Sequence, residues 1–159
     1  MSTSLSHSMY SLTPSEIKLV ARALRCLEKR LRYNFETLNS SHDLRTYLRL
    51  HLASERNEVF AVLFLDTHHR LLAFEKLFHG SIDEAMVYPR VIVQKALEHN
   101  AAKVIFAHNH PSGNADPSNA DKELTCTLKQ ILSIVCVTVV DHIIVGCENS
   151  YSFVEHGLM

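Results

Sequence analysis

The first long run of apolar residues predicts an amphipathic helix near the start of the chain. In LTPSEIKLVARALRCLEKRLR, apolar side chains recur at helical spacing along one stripe, which consists of Ile17, Val20, Leu24, Leu27 and Leu31. Thr13 can cap this helix, Pro14 suits its first position, and Glu16 completes a capping box. Such a stripe needs an apolar partner, which is either the rest of the same domain or another subunit.

The pattern then changes to shorter elements. A second helix is predicted from Ser40 or Ser41 to about Ser54. Next, the β-rich runs EVFAVLFLD and RLLAFEKLFHG, joined by THH, predict a hairpin. Two helices and a hairpin therefore make up the first half of the chain.

The second half alternates helical and strand-like spacing. PRVIVQKALEHNA predicts a helix, KVIFAHN a short buried strand, and a further helix is expected from about Ser118 to Leu132. The runs VCVTVVDHIIVG and YSFVEHG predict strands at the end of the chain. This order of elements predicts an α/β domain in which helices pack on a mixed sheet.

Composition restricts the classes of protein to consider. A chain of 159 residues that is 47% apolar can build one core, and 16 basic against 17 acidic residues leave a net charge of -1, which gives no overall attraction for DNA or an anionic membrane. The N-terminus lacks a secretion signal and no apolar run approaches the ~20 residues that span a bilayer, so we expect a cytoplasmic protein without membrane contact. The four cysteines form no C-x-x-C pair, so we expect buried or partly buried reduced thiols; they are Cys26, Cys126, Cys136 and Cys147.

The segment HNHPSGNADPSNAD, residues 108–121, carries the candidate chemistry. In an extended segment, His108 and His110 project to the same side and can converge on one ion, while Asn109 points away. Asp121 can supply a third ligand, because the proline- and glycine-containing loop turns the chain into a helix whose first turns carry Ser118 and Asp121. Two imidazoles and a carboxylate leave the fourth tetrahedral position of a zinc ion open for water, as in catalytic zinc sites.

A structure without a metal is also compatible with these residues. Ser118 and Asp121 fit an S-x-x-D capping box, and the histidines can lie at a strand end and hydrogen-bond to nearby loops. Pro117 counts against the capping box, because proline at the first helical position would make Asp116 the cap and leave Ser118 and Asp121 inside the helix. Both interpretations stay open at this point.

The wider pattern resembles a known family. An upstream glutamate on a strand, then H-x-H-P, a serine and an aspartate resemble the JAMM metalloprotease motif of the JAB/MPN family. The segments EVFAVLFLD, LFHGSIDEAMVYPRVIVQKALEHNAAKVIFAHNHPSG, PSNAD, DHIIVG and SFVEHGL resemble the C-terminal domain of RadC-like proteins over roughly residues 40–159. The resemblance implies the MPN fold shared with the cytidine-deaminase-like class, a central mixed sheet flanked by helices. We therefore expect a RadC-like domain at 37–159 and an N-terminal helical extension at 1–36.

The resemblance also implies a role for each matching residue. His108, His110 and Asp121 would bind one zinc ion, Ser118 would stabilise the oxyanion, and Glu58 would orient and deprotonate the zinc-bound water. Glu55 is a nearby alternative to Glu58, but it does not directly precede the apolar strand. Asn109 stands where peptidase members usually carry serine or threonine, so a deubiquitinase-type substrate preference is not carried over.

The implied function is hydrolysis of a peptide or isopeptide bond in an extended peptide or protein substrate. The alternative is a DNA-repair-associated or protein-interaction module whose metal site is not used for proteolysis. Full-length RadC-like proteins carry a helix-hairpin-helix region that depends on glycines, and none occurs in the first 79 residues here. We therefore expect no strong nucleic-acid binding, and the sequence leaves the oligomeric state open.

Overall fold

A five-stranded mixed sheet lies between two pairs of helices in the computed structural model, which describes residues 12–33, 41–80 and 85–159. The helices are α1 (Pro14–Tyr33), α2 (Ser41–Leu52), α3 (Pro89–Glu98) and α4 (Asn119–Ile134). The strands are β1 (Val59–Leu65), β2 (Leu71–His79), β3 (Lys103–Asn109), β4 (Thr138–Val145) and β5 (Ser150–Ser152). The α/β class and the mixed sheet flanked by helices are thus as predicted.

The strands lie in the order β2-β1-β3-β4-β5. Strand β1 pairs antiparallel with β2 and with β3, β3 pairs parallel with β4, and β5 returns antiparallel to β4. The parallel pair is joined through α4, which explains why a helix separates KVIFAHN from the next strand. This crossover places the end of β3 beside the start of α4, where the candidate chemistry lies.

Both faces of β1 are covered, so every residue of this strand is buried. Alternate residues such as Val59 and Leu63 pack with α1 and α2, and the residues between them, such as Phe60 and Phe64, pack on the side of α3 and α4. A strand that is buried on both faces appears in the sequence as a continuous apolar run, and VFAVLFL is such a run.

The N-terminal helix forms with the predicted cap. The backbone N–H of Thr13 donates to Glu16 Oε2 at 2.7 Å, and the backbone N–H of Glu16 donates to Thr13 Oγ1 at 3.4 Å. Only the second half of the apolar stripe packs, with Leu31 fully buried, whereas Ile17 is 54% exposed. The partner of that second half is α2 together with β2 of the same domain.

Several sequence predictions are corrected or fall outside the described residues. Only the first two residues of YSFVEHG lie in a strand, β5 (Ser150–Ser152), because a turn follows in which the backbone N–H of Glu155 donates to Ser152 Oγ. All four cysteines are exposed free thiols, contrary to the expectation of buried or partly buried ones. Three predictions lie outside the described residues. They are the Ser40 start of the second helix, the boundary between residues 36 and 37, and the expectation of no secretion signal over residues 1–11. Among the described helices, none has the length and apolarity needed to cross a membrane.

Candidate metal centre

The end of β3 and the loop after it bring the two histidines to the edge of the sheet. His108 lies in β3, and the backbone N–H of His110 extends the pairing by donating to the carbonyl of Val145 at 3.1 Å. The loop then turns at Gly113, which has a φ of +88° and where an added Cβ would lie 2.8 Å from Cys147 Sγ. Glycine therefore allows the tight turn that leads towards α4.

Three side chains meet at this point. The candidate ligand atoms of His108, His110 and Asp121 all lie within 4.8 Å of one another. His108 Nε2 is 2.9 Å from His110 Nε2 and 3.2 Å from Asp121 Oδ1, while His110 Nε2 is 3.5 Å from Asp121 Oδ2. No second cluster of this kind occurs in the ranges that the structure describes. The chain thus contains a candidate metal-binding group made of the three residues that the sequence singles out.

Hydrogen bonding around His110 shows that these residues suit a cation. His110 Nδ1 lies 2.8 Å from the backbone carbonyl of Asn114, which can only accept, so the hydrogen of the neutral ring is on Nδ1 and Nε2 offers a lone pair. Burial alone would raise the pKa of Asp121, but hydrogen bonds that the Nε2 atoms of His108 and His110 donate when those rings are protonated hold it well below its usual range. The hydrogen bond to Asp121 also raises the pKa of His110. The group therefore favours a positive charge at its centre, which a divalent metal ion would supply.

Asp121 also closes the capping box that the sequence left as a competing interpretation. Ser118 is the N-cap of α4: its Oγ accepts from the backbone N–H of Asp121 at 3.1 Å. Asp121 Oδ2 accepts in return from the backbone N–H of Ser118 at 2.7 Å. The argument that Pro117 would make Asp116 the cap is wrong, since the φ of proline also suits extended backbone just before the cap. Because Oδ2 completes the cap and Oδ1 faces His108, the capping box does not exclude a metal ion at this group.

Glu58 lies immediately before β1, at the rim of the same site. Its side-chain Oε1 accepts from the backbone N–H of Ala85 at 3.2 Å, and its backbone carbonyl accepts from Gly80. Burial raises the pKa of Glu58 above its usual value, against the opposing charge of His108. Glu55 Oε1 instead accepts from Lys76 Nζ at 2.5 Å, and Glu55 does not line the cleft that opens onto Glu58 and His110. Of the two acidic residues, Glu58 is the one that lines the cleft.

A cleft of about 630 Å³ opens onto these side chains. Its polar wall is formed by Glu58, His110, Ser112, Ser118 and Asp121. The remaining wall is formed by Ala85, Met86, Val87, Pro111, Ala120 and Leu124. The candidate metal-binding group is therefore accessible through a cleft that has both polar and apolar walls.

Two buried side chains that the sequence did not single out complete the site. His142 in β4 is fully buried, and its Nε2 lies 2.8 Å from His108 Nδ1. Its Nδ1 lies 2.6 Å from Thr125 Oγ1 in α4. Complete burial holds the pKa of His142 well below its usual value, so the ring is neutral. The signal in the sequence is one histidine within the apolar strand VDHIIVG, but its partner is 34 residues away and becomes apparent only when β3 and β4 pair.

Comparison with known proteins places the chain in a family. Residues 38–158 match the family described as RadC-like JAB domain. The "UPF0758 protein YkfG" of Escherichia coli (strain K12) is 49% identical over 148 residues, which are 93% of this chain and 94% of that protein. A "UPF0758 protein" of Vibrio cholerae serotype O1 is 48% identical over 142 residues, 89% of each chain.

Some relatives are longer. A "UPF0758 protein" of Janthinobacterium sp. (strain Marseille) is 54% identical over 121 residues, which are 76% of this chain and 54% of that protein. The chain therefore spans about half the length of that relative, while it matches the Escherichia coli protein over nearly its full length. Because the family match covers most of the residues and includes both the sheet and the candidate metal-binding group, the chain belongs to the RadC-like JAB domain family.

Proposed function

We propose that the chain is a zinc-dependent hydrolase of the JAMM type that cleaves a peptide or isopeptide bond in an extended segment of its substrate. The observation that carries this proposal is the convergence of two imidazole nitrogens and a carboxylate in an open cleft, with Glu58 beside them but outside the group. Three protein ligands and an accessible fourth position are the arrangement of catalytic zinc sites, whereas structural sites are closed by four ligands.

The donor set favours zinc over the common hard cations. His108 and His110 offer imidazole nitrogens, whereas Mg²⁺ and Ca²⁺ prefer sites made of oxygen atoms. When bound, zinc would polarise the scissile carbonyl and lower the pKa of a coordinated water molecule towards ~7. The residues of the chain then need only to hold the metal, position the substrate and move one proton.

Glu58 is the proposed proton carrier. Its carboxylate takes a proton from the attacking water and delivers it to the leaving amine, and a general base works best when its pKa lies near the working pH. The upward shift of the pKa of Glu58 by burial fits that role. The hydrogen bond from the backbone N–H of Ala85 fixes one carboxylate oxygen and leaves the other for the proton.

Ser118 is the proposed donor to the oxyanion, and its present contacts set a condition on that role. Its hydroxyl lies 2.6 Å from Asp121 Oδ2 and donates to it. A hydroxyl has a single hydrogen, so donation to a substrate oxygen requires the Ser118 hydroxyl to rotate away from Asp121. The backbone N–H of Ser118 keeps its own bond to Oδ2, so the cap of α4 is retained during that rotation.

The test combines metal analysis with hydrolysis of a fluorogenic peptide library. We expect the purified chain to contain one zinc per molecule, and Glu58→Gln to keep the zinc while the rate falls by roughly 10²-fold or more, since the proton acceptor is lost. Ser112→Ala, at the same cleft but without a proposed role, is the matched control and should keep both zinc and activity. A chain that cannot be loaded with zinc, or a Glu58→Gln variant of full activity, would overturn the proposal.

A further inference from the structure

Three hydrogen bonds in series connect two of the proposed ligands through the protein interior. His108 Nδ1 lies 2.8 Å from His142 Nε2, and His142 Nδ1 lies 2.6 Å from Thr125 Oγ1. Thr125 Oγ1 in turn lies 2.6 Å from the backbone carbonyl of Asp121. The series therefore starts at one proposed ligand, crosses from β3 to β4 and α4, and ends at the backbone of another.

Counting hydrogens fixes the direction of this series. Each of the three contacts needs one hydrogen, and the carbonyl of Asp121 can supply none, so the Thr125 hydroxyl donates to it. The contact between Thr125 and His142 must then be filled by a hydrogen on His142 Nδ1, which leaves Nε2 of that neutral ring as an acceptor. The contact between the two histidines is filled by a hydrogen on His108 Nδ1.

The opposite direction leaves one contact without a hydrogen. If the Thr125 hydroxyl donated to His142 instead, two oxygen atoms would face each other at 2.6 Å with no hydrogen between them. Among the described residues, the His142 ring has no further hydrogen-bond partner. It stacks on Phe153 with ring centres 4.8 Å apart and lies in a T-shaped arrangement with Phe106. In such an apolar environment an unpaired ring nitrogen is costly.

We propose that Thr125 and His142 are positioning residues that hold His108 in the tautomer whose Nε2 lone pair faces the metal site. The inference rests on the proposed metal site and adds to it two residues that do not touch the metal. His110 is oriented differently, by the backbone carbonyl of Asn114. The orientation of His108 depends on side chains, so it can be changed by substitution.

The first experiment compares Thr125→Val with Thr125→Ser. Valine keeps the shape of threonine but has no hydroxyl, so His142 Nδ1 loses its acceptor and His108 is no longer held in one tautomer. We expect the zinc affinity, measured by competition with a chromophoric chelator, to fall about 10- to 100-fold in Thr125→Val, the usual effect of losing a residue that orients a ligand. Thr125→Ser keeps the hydroxyl and should bind zinc within about threefold of the wild type, since the orienting hydrogen bond is kept.

The second measurement reads the tautomer itself. The ring ¹⁵N shifts of His108 in metal-free protein distinguish a hydrogen on Nδ1 from one on Nε2. We expect the Nδ1–H form in the wild type and in Thr125→Ser, and a mixture of both forms in Thr125→Val. An Nε2–H form in the wild type, or unchanged zinc affinity in folded Thr125→Val, would overturn the inference.

A second pair of variants, at His142, tests the same inference if Thr125→Val does not fold. The side-chain oxygen of glutamine in His142→Gln can still accept from His108 Nδ1, whereas leucine in His142→Leu cannot. We expect zinc affinity to fall further in His142→Leu than in His142→Gln, and equal affinities would contradict the inference. The ¹⁵N measurement uses metal-free protein, so it reports on the series of hydrogen bonds even if the wild type binds no zinc. Failure of the wild type to bind zinc would overturn only the proposed function.

Discussion

The side-chain oxygen of Asn109 accepts a hydrogen bond from the backbone N–H of Val59 at 2.8 Å, which ties the residue between the two histidines to the first residue of β1. The amide nitrogen of Asn109 donates to the carbonyl of Asn57 at 3.1 Å. Asn57 and Val59 flank Glu58 in the sequence. The buried side-chain amide of Asn109 therefore fixes the backbone on both sides of the proposed base. Asn109 points away from the histidines, as the alternation of an extended segment predicts.

Substitution of Asn109 should therefore affect stability more than metal binding. Asn109→Ala leaves the buried N–H of Val59 and the carbonyl of Asn57 without their partner, and we expect the free energy of unfolding to fall by about 1–3 kcal/mol. Zinc occupancy should stay near that of the wild type, because the proposed ligands project to the other side of the strand. Urea denaturation and metal analysis measure the two effects, and a strong loss of zinc in a folded Asn109→Ala variant would contradict this prediction.

The two ends of the α1 stripe offer a matched pair of substitutions. Leu31 is fully buried against α2 and the sheet, whereas Ile17 is 54% exposed. We expect Leu31→Ala to lower the free energy of unfolding by about 2–5 kcal/mol, since it leaves a cavity. Ile17→Ala should change it by about 0.5 kcal/mol or less. Equal losses, measured by urea denaturation, would mean that another subunit covers Ile17, and the oligomeric state by light scattering would show this.

The sequence predicts a large part of this site because the relevant residues are close together in the chain. The spacing of His108 and His110 and the start of α4 need only local geometry, and Glu58 follows from the resemblance to a family. His142 is different, since its contact with His108 depends on the parallel pairing of β3 with β4 and on a register shift near Val104. Pairing of this kind joins residues far apart in the chain and leaves no local pattern.

The cap of α4 shows a different limit of sequence reasoning. Proline suits both the first position of a helix and the extended residue before its cap, so Pro117 does not fix where the helix begins. The observed N-cap at Ser118 is selected by the reciprocal bonds between Ser118 and Asp121. The two carboxylate oxygens of Asp121 have different partners, because Oδ2 bonds to Ser118 and Oδ1 faces His108. From the sequence alone, the cap and the proposed metal ligand therefore look like alternatives.

Binding to duplex DNA should be weak and strongly salt-dependent. The net charge is -1, so the chain as a whole has no excess of positive charge with which to release counterions from DNA. Fluorescence anisotropy with a labelled duplex at near-physiological salt measures the affinity. A submicromolar, sequence-selective affinity would contradict this prediction and would favour a repair-associated module over a hydrolase.

Zinc should stabilise the fold, and by more as the pH rises. The raised pKa of His110 means that, in the metal-free protein, its proton stabilises the fold below the unfolded value of about 6.5 and that this contribution is lost as the pH rises through the folded pKa. Zinc binding requires the neutral ring, so a rise in pH favours it.

The difference between the melting temperatures of zinc-loaded and chelator-treated protein should consequently widen from about pH 6 to pH 8, since protons compete with zinc for the imidazoles. Histidines outside the proposed metal site are the same in both forms, so their contribution to the difference largely cancels. Melting curves at matched ionic strength measure it. A difference that is absent, or that narrows as the pH rises, would contradict zinc binding by neutral imidazoles.

The two roles of Asp121 can be separated by two substitutions. Ser118→Ala removes the hydroxyl that accepts from the backbone N–H of Asp121, so we expect a loss of about 1 kcal/mol in the free energy of unfolding with zinc retained. Asp121→Asn keeps a side-chain oxygen that can accept from the backbone N–H of Ser118, but it removes the negative charge from the proposed metal site.

We therefore expect Asp121→Asn to lose most of its zinc, because a neutral amide oxygen is a much weaker zinc ligand than a carboxylate, while the cap of α4 is kept. Elemental analysis and thermal melting of both variants require no substrate. If Asp121→Asn kept full zinc and Ser118→Ala alone changed the protein, Asp121 would serve only as part of the cap, and the cleft would lack its third ligand.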